Sequence, residues 1–507
     1  MNNKYSRRDF IRTSSALSAG VMASGCQFLN STNKKPNLLF IWTDEQRADT
    51  MVAYGNRKIK TPNLNKLSEQ SFVFKKSYVT QPVCSPSRSS VMTGLYPHTN
   101  GITRNNIPLA EDIPCFPELM NDNDYKTGYI GKWHLGDEVF AQHGFETWIS
   151  IEDGYTSYFS KGKDRNARSD YHHWLVEKGY KPSENSNKFS RSFAASLPIE
   201  HCKPKFMEEK ACQYLEEVGD NPFILYINFL EPHMPFTGPL NDLHHPDSID
   251  LPENYDDSLE DNEPLRYRLK RESSIKKYGP DEQDFKSLIS KYWGLVSQVD
   301  RSVGAILDKL EELGIANDTI VVYTSDHGDM MGSHKMVEKT VMFEESTRVP
   351  FMMKIPFIKT SQTIINHPVS QIDIVPTLLD LMNKKVPGSL EGKSLAPLLR
   401  GRDMPDDYVF IEWNTHNYKE RKYSGSLSVS QKEINEAMVS CCRAVVSPDG
   451  WKLCLRNSDK NQLFNLKDDP LETTNLFTDT AYKEKINFLS VKIKEWQSKT
   501  KDNLELI

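Results

Sequence analysis

Four apolar runs along the chain break off at residues able to do chemistry. Asn37 to Thr43 ends at Asp44-Glu45, and Tyr125 to Ile130 leads into Gly131-Lys132-Trp133-His134. Phe223 to Phe229 reaches Glu231-Pro232-His233, and Thr319 to Thr324 reaches Asp326-His327-Gly328. Runs apolar at nearly every position predict strands covered on both faces, the habit of parallel sheets flanked by helices. In such sheets ligands bind beyond the carboxyl ends of the strands. From Tyr292 to Leu313 the period changes. Leu295, Val299, Val303, Ile306, Leu307, Leu310 and Leu313 recur at helical spacing, with Gly314 placed to end the helix.

Two polar stretches, near 156–205 and 235–283, interrupt this alternation and predict loops and short helices at the ligand face, where loops usually set specificity. Their paired histidines, His172-His173 and His244-His245, are expected to be solvated. After Arg400 the runs become short: Tyr408 to Trp413, Arg443 to Val446 and Trp451 to Leu455, with a closing helix near 481–498. The expected fold class is therefore α/β: a large mixed, mostly parallel sheet sandwiched by helices over 36–400. A smaller C-terminal α+β domain with an antiparallel sheet follows over 401–507.

Charge narrows the function. Lys+Arg total 63 and Asp+Glu 69, a formal balance of −6, which argues against a nucleic-acid binder built on a general basic field. Hydrophobic residues at 38% and charged residues at 26% exclude disorder and a collagen-like fibre.

The weakly apolar stretch Ala16 to Gly25 is too short to span a bilayer. Arg7-Arg8 before it and Ala23-Ser24-Gly25-Cys26 at its end resemble a twin-arginine export signal over 1–25 closing in a lipobox. That resemblance implies export machinery as a partner and a periplasmic, outer-membrane or cell-surface lipoprotein. Its only membrane contact would be a lipid anchor at Cys26, with 26–35 as a polar tether. Ala23 stands where a lipobox usually has Leu, and the alternative is a cleaved, unlipidated signal. The eight cysteines include no C-x-x-C pair; Cys202 with Cys212, or Cys454 with Cys441 or Cys442, are candidate disulfides, and buried free thiols are the alternative.

The segment Pro82 to Gly94 carries the most chemistry. Cys84 stands at or near a helix start, Pro86 suits the first turn, and Arg88, four residues on, shares a face with the cysteine. Helix-start N–H groups and a permanently charged Arg favour an oxyanion beside Cys84.

Cys84-x-Pro86-x-Arg88, followed by Ser89, Thr93 and Gly94, resembles the signature of type I sulfatases, members of the alkaline phosphatase superfamily. The likeness extends through Asp44-Glu45, Gly131 to His134, Pro232-His233, Ser325 to Gly328, Glu338-Lys339 and the closing Leu463 to Leu466. It implies conversion of Cys84 to formylglycine by a formylglycine-generating or anaerobic sulfatase-maturating enzyme, and a hydrated aldehyde as covalent nucleophile. It also implies one divalent cation, Ca²⁺, on Asp44, Glu45, Asp326, His327 and an oxygen of residue 84, as hard carboxylate ligands suit. Glu45 and His327 depart from the residues many members have there, and the imidazole nitrogen weakens the case for Ca²⁺ over another metal.

By the same resemblance Arg88 braces the aldehyde, and Lys132 and Lys339 hold sulfate oxygens. His233 protonates the leaving alcohol, His134 takes the proton that regenerates the aldehyde, and Asn105 is a further substrate contact. His98 and His334 are read as structural. The expected activity is a sulfuric ester hydrolase acting on a sulfated polysaccharide or oligosaccharide. The alternatives are a phosphonate monoester or phosphodiester hydrolase of the same superfamily and, should Cys84 stay a thiol, an inactive surface glycan-binding lipoprotein.

Overall fold

A computed structural model describes residues 35–506 apart from 359–360, 406, 416–419 and 421, so Cys26 and the export-signal reading lie outside the described residues. The four apolar runs are strands: β1 (Asn37–Asp44), β3 (Lys126–Gly131), β5 (Phe223–Pro232) and β6 (Thr319–Ser325). They lie side by side in the order β3-β5-β1-β6, and every neighbouring pair is parallel. All eight residues of β1 and all seven of β6 are buried, as a strand with helices on both faces requires.

The sheet is wider than its four loudest strands. β4 (Thr147–Ser150) extends one edge. β7 (Arg348–Lys354), β2 (Phe72–Tyr78) and β8 (Thr363–Ile365) extend the other, while the short β9 (Val369–Ser370) also pairs with β2. Only β7 runs antiparallel to its neighbours, so the sheet is mixed and mostly parallel. One face carries Phe40, Trp42, Tyr129 and Tyr226, and the other Leu39, Ile41, Leu225 and Ile227, each packed on its own helical layer.

The helix expected from Tyr292 begins ten residues earlier and spans Glu282–Glu312. Its apolar stripe continues backward through Phe285 and Ile289, and a capping box of Asp281 and Asp284 starts it. Gly314 ends it as expected. Its φ is +70°, its N–H reaches the Glu311 carbonyl and that of Ile315 the Leu310 carbonyl, which is the Schellman pattern. The second polar stretch is more ordered than a loop, since it holds the 14-residue helix Leu265–Tyr278.

The C-terminal strands β10 (Val409–Trp413), β11 (Cys442–Val446), β12 (Trp451–Arg456) and β13 (Gln462–Asn465) form an antiparallel sheet in sequence order, with the helix Lys483–Thr500 packed against β11 and β12. His98, half-buried, ties the short helix Pro97–Asn100 to Glu412 of β10 at 2.5 Å, and His334 is buried against Asp257 at 2.6 Å and the Phe343 ring. Both structural readings hold. The solvated reading fails for His172 and His244, which are buried on Asp153 and on the Ser297 hydroxyl; His173 and His245 are exposed. The seven described cysteines are all free thiols. Among the described residues no helix is long and apolar enough to cross a membrane.

Candidate active site

The carboxyl ends of the four central strands converge on one point. Asp44 is the last residue of β1, Asp326 follows β6, Lys132 follows β3 and His233 follows β5. The fifth contribution comes from the helix Cys84–Thr93, which begins at the cysteine, with Pro86 in its first turn and Arg88 one turn on. The whole helix is buried, so a cationic side chain on it must meet anions.

Arg88 does so with all three of its nitrogens. Nε donates to Asp326 Oδ2 at 2.8 Å and Nη2 to Asp44 Oδ2 at 2.8 Å, while Nη1 serves the Lys132 carbonyl at 2.8 Å and Asn228 Oδ1 at 2.7 Å. The guanidinium thus stays charged and fixes both aspartates relative to the helix. Burial alone would raise the Asp44 carboxyl, but Lys132, His233, Arg88 and His327 together hold it well below the usual carboxylate range. Lys132 also bonds Asp44 directly and is fully buried.

Cys84 Sγ lies 3.3 Å from His327 Nε2 and 3.8 Å from Asp44 Oδ1. Burial and Asp44 push its thiol up, yet Lys132, Lys339 and His327 bring it below its ordinary value. His327 Nδ1 donates to the Gly328 carbonyl at 2.9 Å, which fixes the tautomer and aims Nε2 at the sulfur and at both aspartates. Against burial, Asp326 and Cys84 raise that imidazole to about 9, so the pocket draws positive charge to Nε2.

Asp44, Cys84, Asp326 and His327 each offer a ligand atom within 4.8 Å of the others. Glu45 stands outside that quartet and joins Asp44 and His233 in a second group of the same kind. Its Oε2 accepts from Lys339 Nζ at 2.6 Å and lies 3.4 Å from His233 Nε2, while the carboxyl also meets that of Asp329, and burial pushes it well above the usual carboxylate range despite Lys339. An oxygen-rich donor set of this kind fits a divalent cation, whose binding would release the protons that Glu45 and His327 hold without it.

Two of these residues hold left-handed backbone that a side chain adopts only when its surroundings impose it. Glu45, at φ +71°, is pinned by the Tyr292 hydroxyl on its carbonyl at 2.6 Å and by its own N–H on Asp326 Oδ1 at 3.0 Å. His134, at φ +60°, is pinned by Glu138, whose carboxyl accepts the N–H groups of Trp133 and His134 at 2.9 and 2.7 Å; burial pushes that carboxyl up to about 7. Gly131 at φ +124° permits the turn into Lys132, since a Cβ there would lie 2.0 Å from the Asn228 carbonyl oxygen.

The two site histidines present different nitrogens. His134 Nε2 is 3.1 Å from Asn106 Oδ1, which leaves Nδ1 buried without a partner among the described residues, and the ring lies 4.4 Å from Tyr155. Burial, with Lys132, Arg88 and Arg191, keeps this imidazole well below its usual range, the state of a proton acceptor. His233 Nδ1 donates to the Met234 carbonyl at 2.8 Å, so Nε2 faces the centre. Burial, then Lys339, Lys132 and Arg191, depress it in the same way against the pull of Asp44.

Asn105 has another task. Its Oδ1 accepts the Ser85 N–H at 2.9 Å, and Pro86 has no N–H to give, so little of the helix start is left to face an oxyanion. The cationic side chains supply that field instead. Sequence reasoning missed Asn228, Asn106, Glu138, Tyr155 and Arg191. Asn228 left a trace as the one amide in an otherwise apolar strand, whereas Tyr155 and Arg191 sit in or beside the first polar stretch and left none.

A family profile described as Sulfatase matches residues 36–384, and one described as N-sulphoglucosamine sulphohydrolase, C-terminal, matches residues 332–499. An N-acetylglucosamine-6-O-sulfatase of Bacteroides thetaiotaomicron is 27% identical over 556 residues, covering 96% of this chain and 90% of that protein. Among solved structures, a phosphonate monoester hydrolase of Agrobacterium radiobacter superposes with a TM-score of 0.75 at 20% identity, covering 92% of this chain and 96% of that one. A structure in complex with its substrate D-glucosamine-2-N,6-O-disulfate gives 0.73 at 22% identity, covering 93% and 99%. At such identities the two structures speak for the fold alone.

Proposed function

Because the chain belongs to the sulfatase family and is a sulfuric ester hydrolase, we propose that it removes sulfate from a sulfated polysaccharide or oligosaccharide. It uses formylglycine made from Cys84, with one divalent cation, Ca²⁺, beside it. The observation that carries the reading is the buried quartet of Asp44, Cys84, Asp326 and His327, locked by Arg88 at the ends of β1 and β6. The carbohydrate substrate is supported by the N-acetylglucosamine-6-O-sulfatase relative, aligned over nearly the whole chain.

Asp44, Asp326 and His327 would hold the cation, with Glu45 as a further ligand. When bound, it supplies positive charge against the sulfate group and the oxygen of residue 84. The hydrated aldehyde supplies the hydroxyl that attacks sulfur. Arg88 fixes the helix start that carries it. Lys132 and Lys339 each spend one N–H on a carboxylate and keep two for sulfate oxygens as charge grows. His233 Nε2 faces the leaving alcohol and delivers a proton to it once the negative charge of the bound sulfate ester has offset the lysines that depress this imidazole, and His134 Nδ1 takes one from residue 84.

The maturing enzyme acts before any of this. The test is the mass of the tryptic peptide Ser77–Arg88 from the native host, about 18 Da lighter once the thiol has become an aldehyde, together with sulfate release from 4-nitrophenyl sulfate. A full thiol mass with no release refutes the reading. A second reading is hydrolysis of phosphonate monoesters or phosphodiesters at the same site, since the phosphonate monoester hydrolase shares this fold. Assaying phenyl phosphonate esters in parallel separates the two.

A further inference from the structure

Next to the catalytic centre, Glu152 to Tyr155 and the first polar stretch line an open cavity of about 910 Å³, within the range of ligand pockets. Its wall is shared with the site. Tyr155 lines it and lies 4.4 Å from the His134 ring, and Arg191 lines it with Nη1 3.5 Å from His233 Nδ1. Tyr155 and Arg191 thus stand between the two site histidines and the cavity.

The cavity has an unspent cationic side. Arg191 Nε and Nη2 are committed to Glu152 Oε2 at 2.7 and 2.6 Å, and Nη2 also to the Tyr155 hydroxyl at 2.8 Å. Since Nδ1 of His233 carries hydrogen for the Met234 carbonyl, it accepts nothing from Nη1, whose hydrogens are left for another acceptor. The Arg191 side chain is 28% exposed, so it is held in place and still reachable.

Lys188 spends one N–H on the Thr156 hydroxyl at 2.7 Å, and among the described residues neither it nor Lys181 pairs with a carboxylate. The acids that line the cavity are already answered, Glu152 by Arg191 and Lys203 and Asp153 by His172. The half-buried rings of Tyr155, Phe189 and Phe193 complete the wall and offer faces to the C–H surface of a sugar.

We propose that this cavity receives the sugar of the leaving group, and that Arg191 Nη1 and Lys188 hold an anionic substituent on it, a carboxylate or a second sulfate. The assignment rests on the sulfate-ester reading above and goes beyond it by naming the charge of the substrate outside the scissile group. A bidentate or charge-assisted contact of this kind is worth about ten-fold to a hundred-fold in affinity.

The test is calorimetric binding to the full chain carrying Cys84→Ala. Two probe pairs are used, each differing by one anion: N-acetylglucosamine 6-sulfate against glucosamine 2-N,6-O-disulfate, and glucose 2-sulfate against glucuronic acid 2-sulfate. In at least one pair the more anionic member binds about ten-fold tighter or better, which identifies the anion as sulfate or carboxylate. Adding Lys188→Met, or separately Arg191→Lys, brings that ratio below about three-fold. Equal binding within both pairs, or a ratio that survives both substitutions, overturns the proposal. Sulfate release from 4-nitrophenyl sulfate by the unsubstituted chain is scored separately. Release without a binding ratio sinks the cavity assignment alone, and no release sinks the reading beneath it.

Discussion

Replacing Arg88 by Lys keeps the charge and removes the fork, which isolates what the guanidinium geometry does. In the structure four hydrogen bonds leave three nitrogens toward two carboxylates, a carbonyl and an amide oxygen, at 2.7–2.8 Å. A lysine ammonium donates from a single point and cannot reach Asp44 and Asp326 together with the Lys132 carbonyl and Asn228. If two bonds to buried groups are lost, at about 1.5–3 kcal/mol each for charged partners, the variant is destabilised by roughly 3–6 kcal/mol. Arg88→Met removes the charge as well and falls further, because it leaves Asp326 without its cation.

A chain of this size need not unfold as one two-state unit, so the readouts are a calorimetric melting point and local amide exchange. The melting point should drop by roughly 3–6 °C. The Glu45 and His327 amides, which donate to Asp326 Oδ1 at 3.0 and 2.8 Å, should exchange faster than those in the middle of β1. An Arg88→Lys variant melting within about 2 °C of the parent, with unchanged exchange at those amides, would show that charge alone holds the aspartates and would refute a role for the fork.

Three further outcomes follow from the same geometry. His134→Ala should lower kcat on an aryl sulfate by about 100- to 10,000-fold, the range for loss of a proton acceptor; a fall in affinity with kcat preserved would remove His134 from proton transfer. Glu45→Gln should weaken Ca²⁺ binding to the metal-free chain by about ten-fold or more in a calorimetric titration, and an unchanged affinity would take Glu45 out of the ligand set. Glu152, despite burial, is drawn down to about 2 by Arg191 and Lys203. Its depressed carboxyl means that the unfolded state binds more protons between pH 4.5 and 2, so the stability it lends is present above about 4.5 and lost as pH falls toward 2. The drop is worth roughly 3 kcal/mol. Pepsin nicking of residues 156–205 across that window should steepen in the parent chain and lose the slope in Glu152→Gln.

Much of the architecture was legible because a parallel strand buried on both faces has no polar positions to spare. The runs ending at Asp44, Gly131, His233 and Asp326 therefore announced the central strands and, with them, the edge where ligands bind. Cys84, Pro86 and Arg88 were legible for a related reason, since a helix start, its proline and a residue one turn on are fixed by local geometry. The edge strands β4, β8 and β9 are too short to carry a period, and β2 mixes two lysines into its run. The buried His172 and His244 were misread because their partners, Asp153 and Ser297, lie 19 and 53 residues away.

Local pattern along the chain settles which residues stand at the strand ends and that a cysteine and an arginine share one helical turn, because both follow from periods of about two and 3.6 residues. It took the folded chain to settle that Asn228 completes the Arg88 cradle and that Asn105 Oδ1 accepts the Ser85 N–H at the helix start. The same holds for Arg191, which is drawn from a polar loop and closes on His233. Those arrangements depend on contacts between groups far apart in the chain, and no local pattern encodes which group will meet which once the strands are side by side.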